Sequence, residues 1–383
     1  MNLLDAIAAK FKELFHEKPL LVRSPGRVNL IGEHTDYNEG YVLPAAIDKA
    51  VYFAIAPSAS EQCRVIALDK NAEHQFTTGS LEKTEKHWPN YLMGVVDQCN
   101  KANLRVGGFN CVFAGDIPIG AGMSSSAALE AGLAFALNHI FKLGVDNLSL
   151  AKLAQKAENE FVGVQCGIMD QYINIFGKHG NALRVDCRSL ESIDVPFNHP
   201  VAIVLFDTGV SHSLASSGYN KRRAECNAGV TAVKQRHPAV THLRDVSIAM
   251  LSGCKDTMDP TVYRRCKYVV EENDRLLSAC KALERNDLRA FGQYMYRTHE
   301  GLSREYDVSC PEMDFLVETM KDQPEVYGAR MMGGGFGGCT INLIEPDAVE
   351  RIGNMVREKY KHRFGNEPNM YITSISAGTG VIG

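Results

Sequence analysis

The chain has 383 residues, of which 45% are hydrophobic and 22% charged, with a formal net charge of −4. That length has room for two domains and an ample core, and the balance is ordinary for a soluble globular enzyme. It lacks the basic excess that would draw nucleic acid or an anionic membrane, and no apolar run reaches the length of a transmembrane helix. The eleven cysteines are odd in number and form no Cys-x-x-Cys pair, which fits reduced, buried thiols better than disulfides or a zinc site.

In chain order, Met1–Lys18 alternates apolar and charged residues as an amphipathic helix does and carries no secretory leader, so a cytoplasmic location is expected. Leu20–Arg23 and Tyr41–Pro57 read as extended segments. Between them, Pro25-Gly26-Arg27-Val28-Asn29-Leu30-Ile31-Gly32-Glu33-His34-Thr35-Asp36-Tyr37-Asn38 sets Arg, Glu, His and Asp within ten positions. As core such a run is poor. As a lining for a polyhydroxylated ligand it is apt, because carboxylates accept from hydroxyls while Arg and His donate to them. A polar surface loop after a strand is the plainer alternative.

Phe109–Ala114 is a short strand, and it leads into Pro118-Ile119-Gly120-Ala121-Gly122-Met123-Ser124-Ser125-Ser126 and a helix over Ala127–Leu143. Glycines there admit close backbone approach, and serines at a helix start favour an anion, although a Ser-capped helix after a Gly turn reads the same way. No Walker lysine follows. Leu148–Phe161 is a second helix, with Asn147 and Ser149 as plausible caps, and it carries Glu158. Met169–Phe176 is a third. Asp170 in its first turn either complements the helix dipole or faces a reacting hydroxyl. The proline-marked stretch from Asp194 to Pro200 is the expected domain junction, dividing the chain into 1–196 and 197–383.

Val201–Phe206 reads as a buried strand, and Tyr263–Glu284 and Asp287–Ser303 as charged helices. Lys221-Arg222-Arg223 reads as a solvated helix face. Then Arg330-Met331-Met332-Gly333-Gly334-Gly335-Phe336-Gly337-Gly338 concentrates glycine where positive φ or close approach is needed. It is either a mobile turn or a second backbone wall beside a ligand. A strand at Cys339–Ile344, a helix ending near Tyr360 and a strand at Met370–Ile375 follow. Helices and strands mix without strict alternation, so the fold class is α+β.

In this order and spacing, the three motifs resemble the sugar-kinase branch of the galactokinase, homoserine kinase, mevalonate kinase and phosphomevalonate kinase superfamily, and Gly26 to Tyr37 resembles the galactokinase signature. The resemblance implies a two-domain small-molecule kinase with mixed sheets, packed helices and an active site in the interdomain cleft. It implies ATP-dependent phosphorylation of the anomeric hydroxyl of α-D-galactose, with ATP and Mg²⁺ required. An N-acetylgalactosamine or arabinose kinase is the near alternative, and a non-catalytic sugar sensor the remote one.

By the same resemblance, Asp170 and Arg27 are the catalytic pair, and Glu33, His34, Thr35, Asp36, Gly167 and Tyr219 hold the sugar. Gly120, Ala121, Gly122, Met123, Ser124, Ser125 and Ser126 cradle the nucleotide phosphates, with Trp88 near the adenine. Ser126 and Glu158 hold Mg²⁺, a hard cation that takes few protein oxygens. The expected partners are small molecules alone, and the default assembly is a monomer. Gly218, where relatives often carry an acid, and Met332, where Thr is common, depart from the family pattern.

Overall fold

The computed structural model describes residues 2–118, 120–210 and 215–382; Met1 of the expected first helix and Ile119 of the second motif lie outside them. Helix α1 (Leu3–Phe15) starts where the Asn2 side chain accepts the Asp5 amide. Its Ile7 and Phe11, four apart and so on one face, pack on Ala54, Ala56, Val112 and Ala114. Strands β1 (Leu20–Asn29), β2 (Tyr41–Val42), β3 (Pro44–Pro57), β4 (Gln62–Ala67) and β5 (Ala72–Thr77) follow. Next come α2 (Trp88–Lys101), β6 (Phe109–Gly115), α3 (Ser125–Ile140), α4 (Asn147–Lys156) and α5 (Met169–Phe176). Strands β7 (Asn181–Asp186), β8 (Ser192–Pro196) and β9 (Ala202–Asp207) lead to α6 (Ala215–Lys234), α7 (Ile248–Gly253), α8 (Pro260–Glu284), α9 (Leu288–Glu300) and α10 (Pro311–Lys321). The chain closes with β10 (Val326–Met331), β11 (Cys339–Ile344), α11 (Val349–Phe364), β12 (Asn369–Thr373) and β13 (Gly380–Val381).

The largest sheet runs β13-β1-β3-β6-β4-β5. It is antiparallel except between β4 and β6. A four-stranded sheet, β10-β11-β9-β12, carries the second half of the chain, and β2-β7-β8 forms a third. Because β13 pairs with β1 at Val22–Val381, the chain's end returns to the first sheet. This mixture of sheets and helices matches the expected α+β class.

Three expectations need correction. Strand β1 does not stop at Arg23 but continues to Asn29 through a bulge, its register shifting between Pro25 and Arg27. The cap of α4 is Asp146, whose carboxylate accepts the Ser149 amide, and not Asn147 or Ser149. Arg222 does not lie on a solvated face: it is buried and pairs with Glu225 and Asp307. Helix α3 is apolar nearly all round because it is buried against β1 and β3, with Gly132 beneath the Phe53 ring.

Candidate active site

The bulge in β1 falls just before Arg27, which resumes pairing with β3 opposite Ala46, and a bulge is a device that re-aims side chains such as that of Arg27. Its Nε and Nη2 donate to Asp170 Oδ1 and Oδ2 at 2.8 Å each. Its Nη1 donates to the Gly122 carbonyl, and its backbone amide to Met123 O at 3.1 Å. Arg27 therefore ties the first motif to the second, and both to the first turn of α5, where Asp170 sits. Burial works against its charge, but the Asp170, Glu33 and Asp36 carboxylates hold it above the ordinary guanidinium range.

Past the end of β1 the chain turns at Gly32, which has φ +95°, and its amide donates to the buried Glu272 carboxylate of α8 at 3.0 Å. Glu33 Oε1 accepts from Arg330 Nη1 and Nη2 at 3.0 and 3.1 Å and from the Gly333 amide at 2.9 Å. His34 is packed among the Tyr37, Tyr219 and Tyr306 rings, and burial pushes its pKa down to about 4. Burial and then the Asp170 charge push the Asp36 carboxyl up to about 7. Thr35 differs from the expectation. Its hydroxyl donates to Gly32 O and Tyr41 O, it is fully buried, and it does not line the cavity, so its place is in the turn.

The second and third motifs meet backbone to backbone. A Cβ on Gly338 would sit 3.3 Å from Gly120 O, and one on Gly333 would sit 3.6 Å from Gly122 O, both residues having positive φ. Met332 is buried in the core. Gly218 on α6 accommodates Phe336 of the glycine run, since a Cβ there would meet that ring at 2.7 Å. Ser124 starts α3 with φ 58°, and its hydroxyl donates to Asp170 Oδ2.

These residues enclose a cavity of about 360 Å³, lined by Arg27, Glu33, His34, Asp36, Glu158, Gly167, Asp170, Tyr219 and Gly333–Gly335. A second cavity of about 300 Å³ is lined by Trp88, Phe113, Ile117, Ser125, Ser126, Lys70 and Lys86. Tyr91 lines both. Trp88 packs on Phe113 at 5.5 Å between ring centroids. One chamber is rich in carboxylates and hydrogen-bond donors. The other has an aromatic wall and serines at a helix start.

Glu158 lies where the helical path widens over Ala157–Val162, a distortion frequent at functional positions. The Gln171 amide donates to its carboxylate at 2.7 Å, and the Ser126 hydroxyl lies near enough to favour the charged form. Burial and neighbouring acids raise the pKa of both Glu158 and Glu130, and Glu130 Oε1 has no partner. Among the described residues no three His, Cys, Asp or Glu side chains form a ready-made metal cage. Buried acids short of cations, with a serine hydroxyl beside them, nevertheless fit a hard dication that keeps water and phosphate as its other ligands.

Several participants carried no readable role. Arg330 heads the third motif and Glu272 sits in a charged helix, and each looks like a surface charge until the fold buries it. Tyr91, one turn from Trp88, could have been found by its helical spacing.

The fold and the two abutting chambers define a small-molecule kinase of the type built from an N-terminal and a C-terminal domain. The family model described as the GHMP kinases N terminal domain matches residues 90–178, and that described as GHMP kinases C terminal matches 279–362. The galactokinase galactose-binding signature matches residues 9–57. A galactokinase of Roseiflexus sp. (strain RS-1) is 43% identical over 361 residues, covering 94% of this chain and 92% of its own. The chain belongs to the galactokinase family. The crystal structure of Lactococcus lactis galactokinase complexed with galactose superposes with a TM-score of 0.95 at 33% identity, covering all of both chains. Methanococcus jannaschii mevalonate kinase, at 16% identity and a TM-score of 0.66 over 93% of this chain and 98% of its own, shares the fold.

Proposed function

We propose that this protein is a galactokinase, transferring the γ-phosphoryl group of ATP to the anomeric hydroxyl of α-D-galactose to give galactose 1-phosphate and ADP. The observation that carries the reading is the two-bond pairing of Arg27 with Asp170 on the floor of a cavity lined by hydroxyl-binding side chains. Glu33, His34, Asp36, Gly167 and Tyr219 hold the sugar. The Gly120–Ser126 turn cradles the phosphates at the start of α3, and the Trp88 chamber takes the base.

Asp170 orients the C1 hydroxyl and accepts its proton. Phosphoryl transfer passes through a loose transition state that asks little early activation of the nucleophile. Late proton transfer to Asp170 suffices. Arg27 orients the Asp170 carboxylate through its two hydrogen bonds and offsets negative charge at the transferring group. Ser126 and Glu158 would hold Mg²⁺, which neutralises phosphate charge when bound. Residues 1–196 and 197–383 act as the two domains, with the last few residues returned to the first. The protein works as a cytoplasmic monomer. No helix among the described residues is long and apolar enough to cross a membrane.

The test is ADP release with MgATP on galactose, N-acetylgalactosamine, arabinose and glucose in parallel. Turnover on galactose far above the others is expected. Preferred turnover of N-acetylgalactosamine or arabinose would reassign the substrate. Galactose binding without turnover would replace the kinase by a sensor.

A further inference from the structure

Behind His34 lies a chain of buried polar atoms that the reaction does not use. His34 Nε2 is 3.2 Å from the carbonyl oxygen of Gly334, on the cavity wall, and Nδ1 is 2.8 Å from the Tyr37 hydroxyl. The Tyr37 and Tyr306 hydroxyls are 2.6 Å apart, and Tyr306 Oη is 3.2 Å from Cys226 Sγ. Asn38 Nδ2 donates to that sulfur at 3.6 Å and to the His34 carbonyl at 2.9 Å. Tyr306, Cys226 and Asn38 are almost wholly buried, so water cannot supply missing partners.

Donor counting gives the chain one direction. A carbonyl only accepts, so Nε2 carries the hydrogen. A neutral ring has no second one, which leaves Nδ1 to accept from Tyr37. Having spent its hydrogen, Tyr37 must accept from Tyr306, and Tyr306 must accept from the Cys226 thiol. The sulfur in turn accepts from Asn38. Reversing the chain would require a doubly protonated ring and would leave the Cys226 S–H without an acceptor. Burial, which favours the neutral ring, agrees with the first direction.

We propose that Tyr37, Tyr306 and Cys226 form a one-way hydrogen-bond relay that fixes His34 as the neutral Nε2–H tautomer, presenting a donor beside Gly334 at the cavity. The three are positioning residues that act through His34, and their bearing on substrate rests on the sugar-binding reading above. Gly334 O holds that hydrogen in the free protein, so a sugar hydroxyl meeting this edge must accept it by sharing or displacing the 3.2 Å bond, which makes the relay a specificity element. Hydrogen bonds in such a chain reinforce one another, so cutting one link is felt at the next.

The test uses the full chain labelled with ¹⁵N-histidine, with long-range ¹H–¹⁵N spectra assigned by His34→Gln. His34 is expected to show a protonated Nε2 and a bare, hydrogen-bonded Nδ1 across neutral pH. Tyr37→Phe should move Nδ1 to the position of a free lone pair and raise KM for galactose about two- to tenfold, with kcat little changed, as for one lost neutral hydrogen bond. Tyr306→Phe and Cys226→Ala should shift Nδ1 the same way by less, and Cys226→Ser, which keeps donor and acceptor, should restore it. A protonated Nδ1 in the parent, or an Nδ1 signal unmoved by Tyr37→Phe, would overturn the relay. Galactose titrated into the same samples separates the two readings. His34 signals that fit the relay but ignore saturating galactose would remove His34 from sugar binding and leave the relay standing.

Discussion

Arg330 and Glu33, 297 positions apart, form a buried fork in which both terminal nitrogens of the guanidinium donate to the same carboxylate oxygen. Arg330 also donates to the Asn29, Leu30 and Met331 carbonyls, so its donors are spent on the end of β1 and the head of the glycine motif. Glu33 Oε1 is fully engaged, and Oε2 is left for the cavity. A lysine keeps the charge but loses the fork. Arg330→Lys should therefore raise KM for galactose about 10- to 100-fold, the worth of hydrogen bonds to a charged group. Steady-state kinetics check this, and an unchanged KM would show that Glu33 holds its position unaided.

Asp36 sets a pH dependence with a definite sign. Its carboxyl is pushed up to about 7, first by burial and then by the Asp170 charge. A carboxyl whose folded pKa is raised stabilises the fold below its unfolded value of about 4 and loses that contribution as pH rises through the folded value. Asp36→Asn removes the loss. The Tm advantage of the variant over the parent should grow between about pH 4 and pH 7 and be constant above. In the parent, kcat/KM for galactose should fall as pH drops below about 7, because kcat/KM reports ionisation of the free enzyme. A Tm difference independent of pH contradicts both.

Gly167 is glycine because Asp36 stands against it: a Cβ there would lie 1.9 Å from Asp36 Oδ2. Gly167→Ala must displace that carboxylate. The expected result is a galactose KM raised by about tenfold with a stability loss of about 1–3 kcal/mol, the usual cost of overpacking. Calorimetric galactose titration and thermal melts measure the two parts.

Removing the metal tests the buried acids. Chelation should abolish turnover, and Glu158→Gln should raise the Mg²⁺ concentration for half-maximal rate by at least about tenfold. An unchanged Mg²⁺ requirement would move the ion away from Glu158.

Most of the cavity lining is legible in the sequence because it is local. Arg27, Glu33, His34 and Asp36 lie within one short run, and the glycines that let two backbones touch are clustered in two others. What stayed hidden was long-range. Nothing near Arg330 or Glu272 in the chain says that each will be buried against the Asn29–Glu33 segment. Thr35 is the converse case, since a hydroxyl among cavity-lining neighbours looks like one of them until its turn is seen to consume it. Helix α2 is hard to read around Trp88 because Pro, Gly and Asn dilute its period, and so are β4, β5, β7 and β8 because short strands with polar faces resemble loops.

The most direct test of the account is Asp170→Asn, with turnover and galactose affinity measured on the same preparation. The account predicts a fall in kcat of at least about 10²-fold, at the low end for loss of a proton acceptor, with galactose still binding by calorimetry. Turnover near that of the parent would remove Asp170 from the reaction, and with it the role given to its pairing with Arg27.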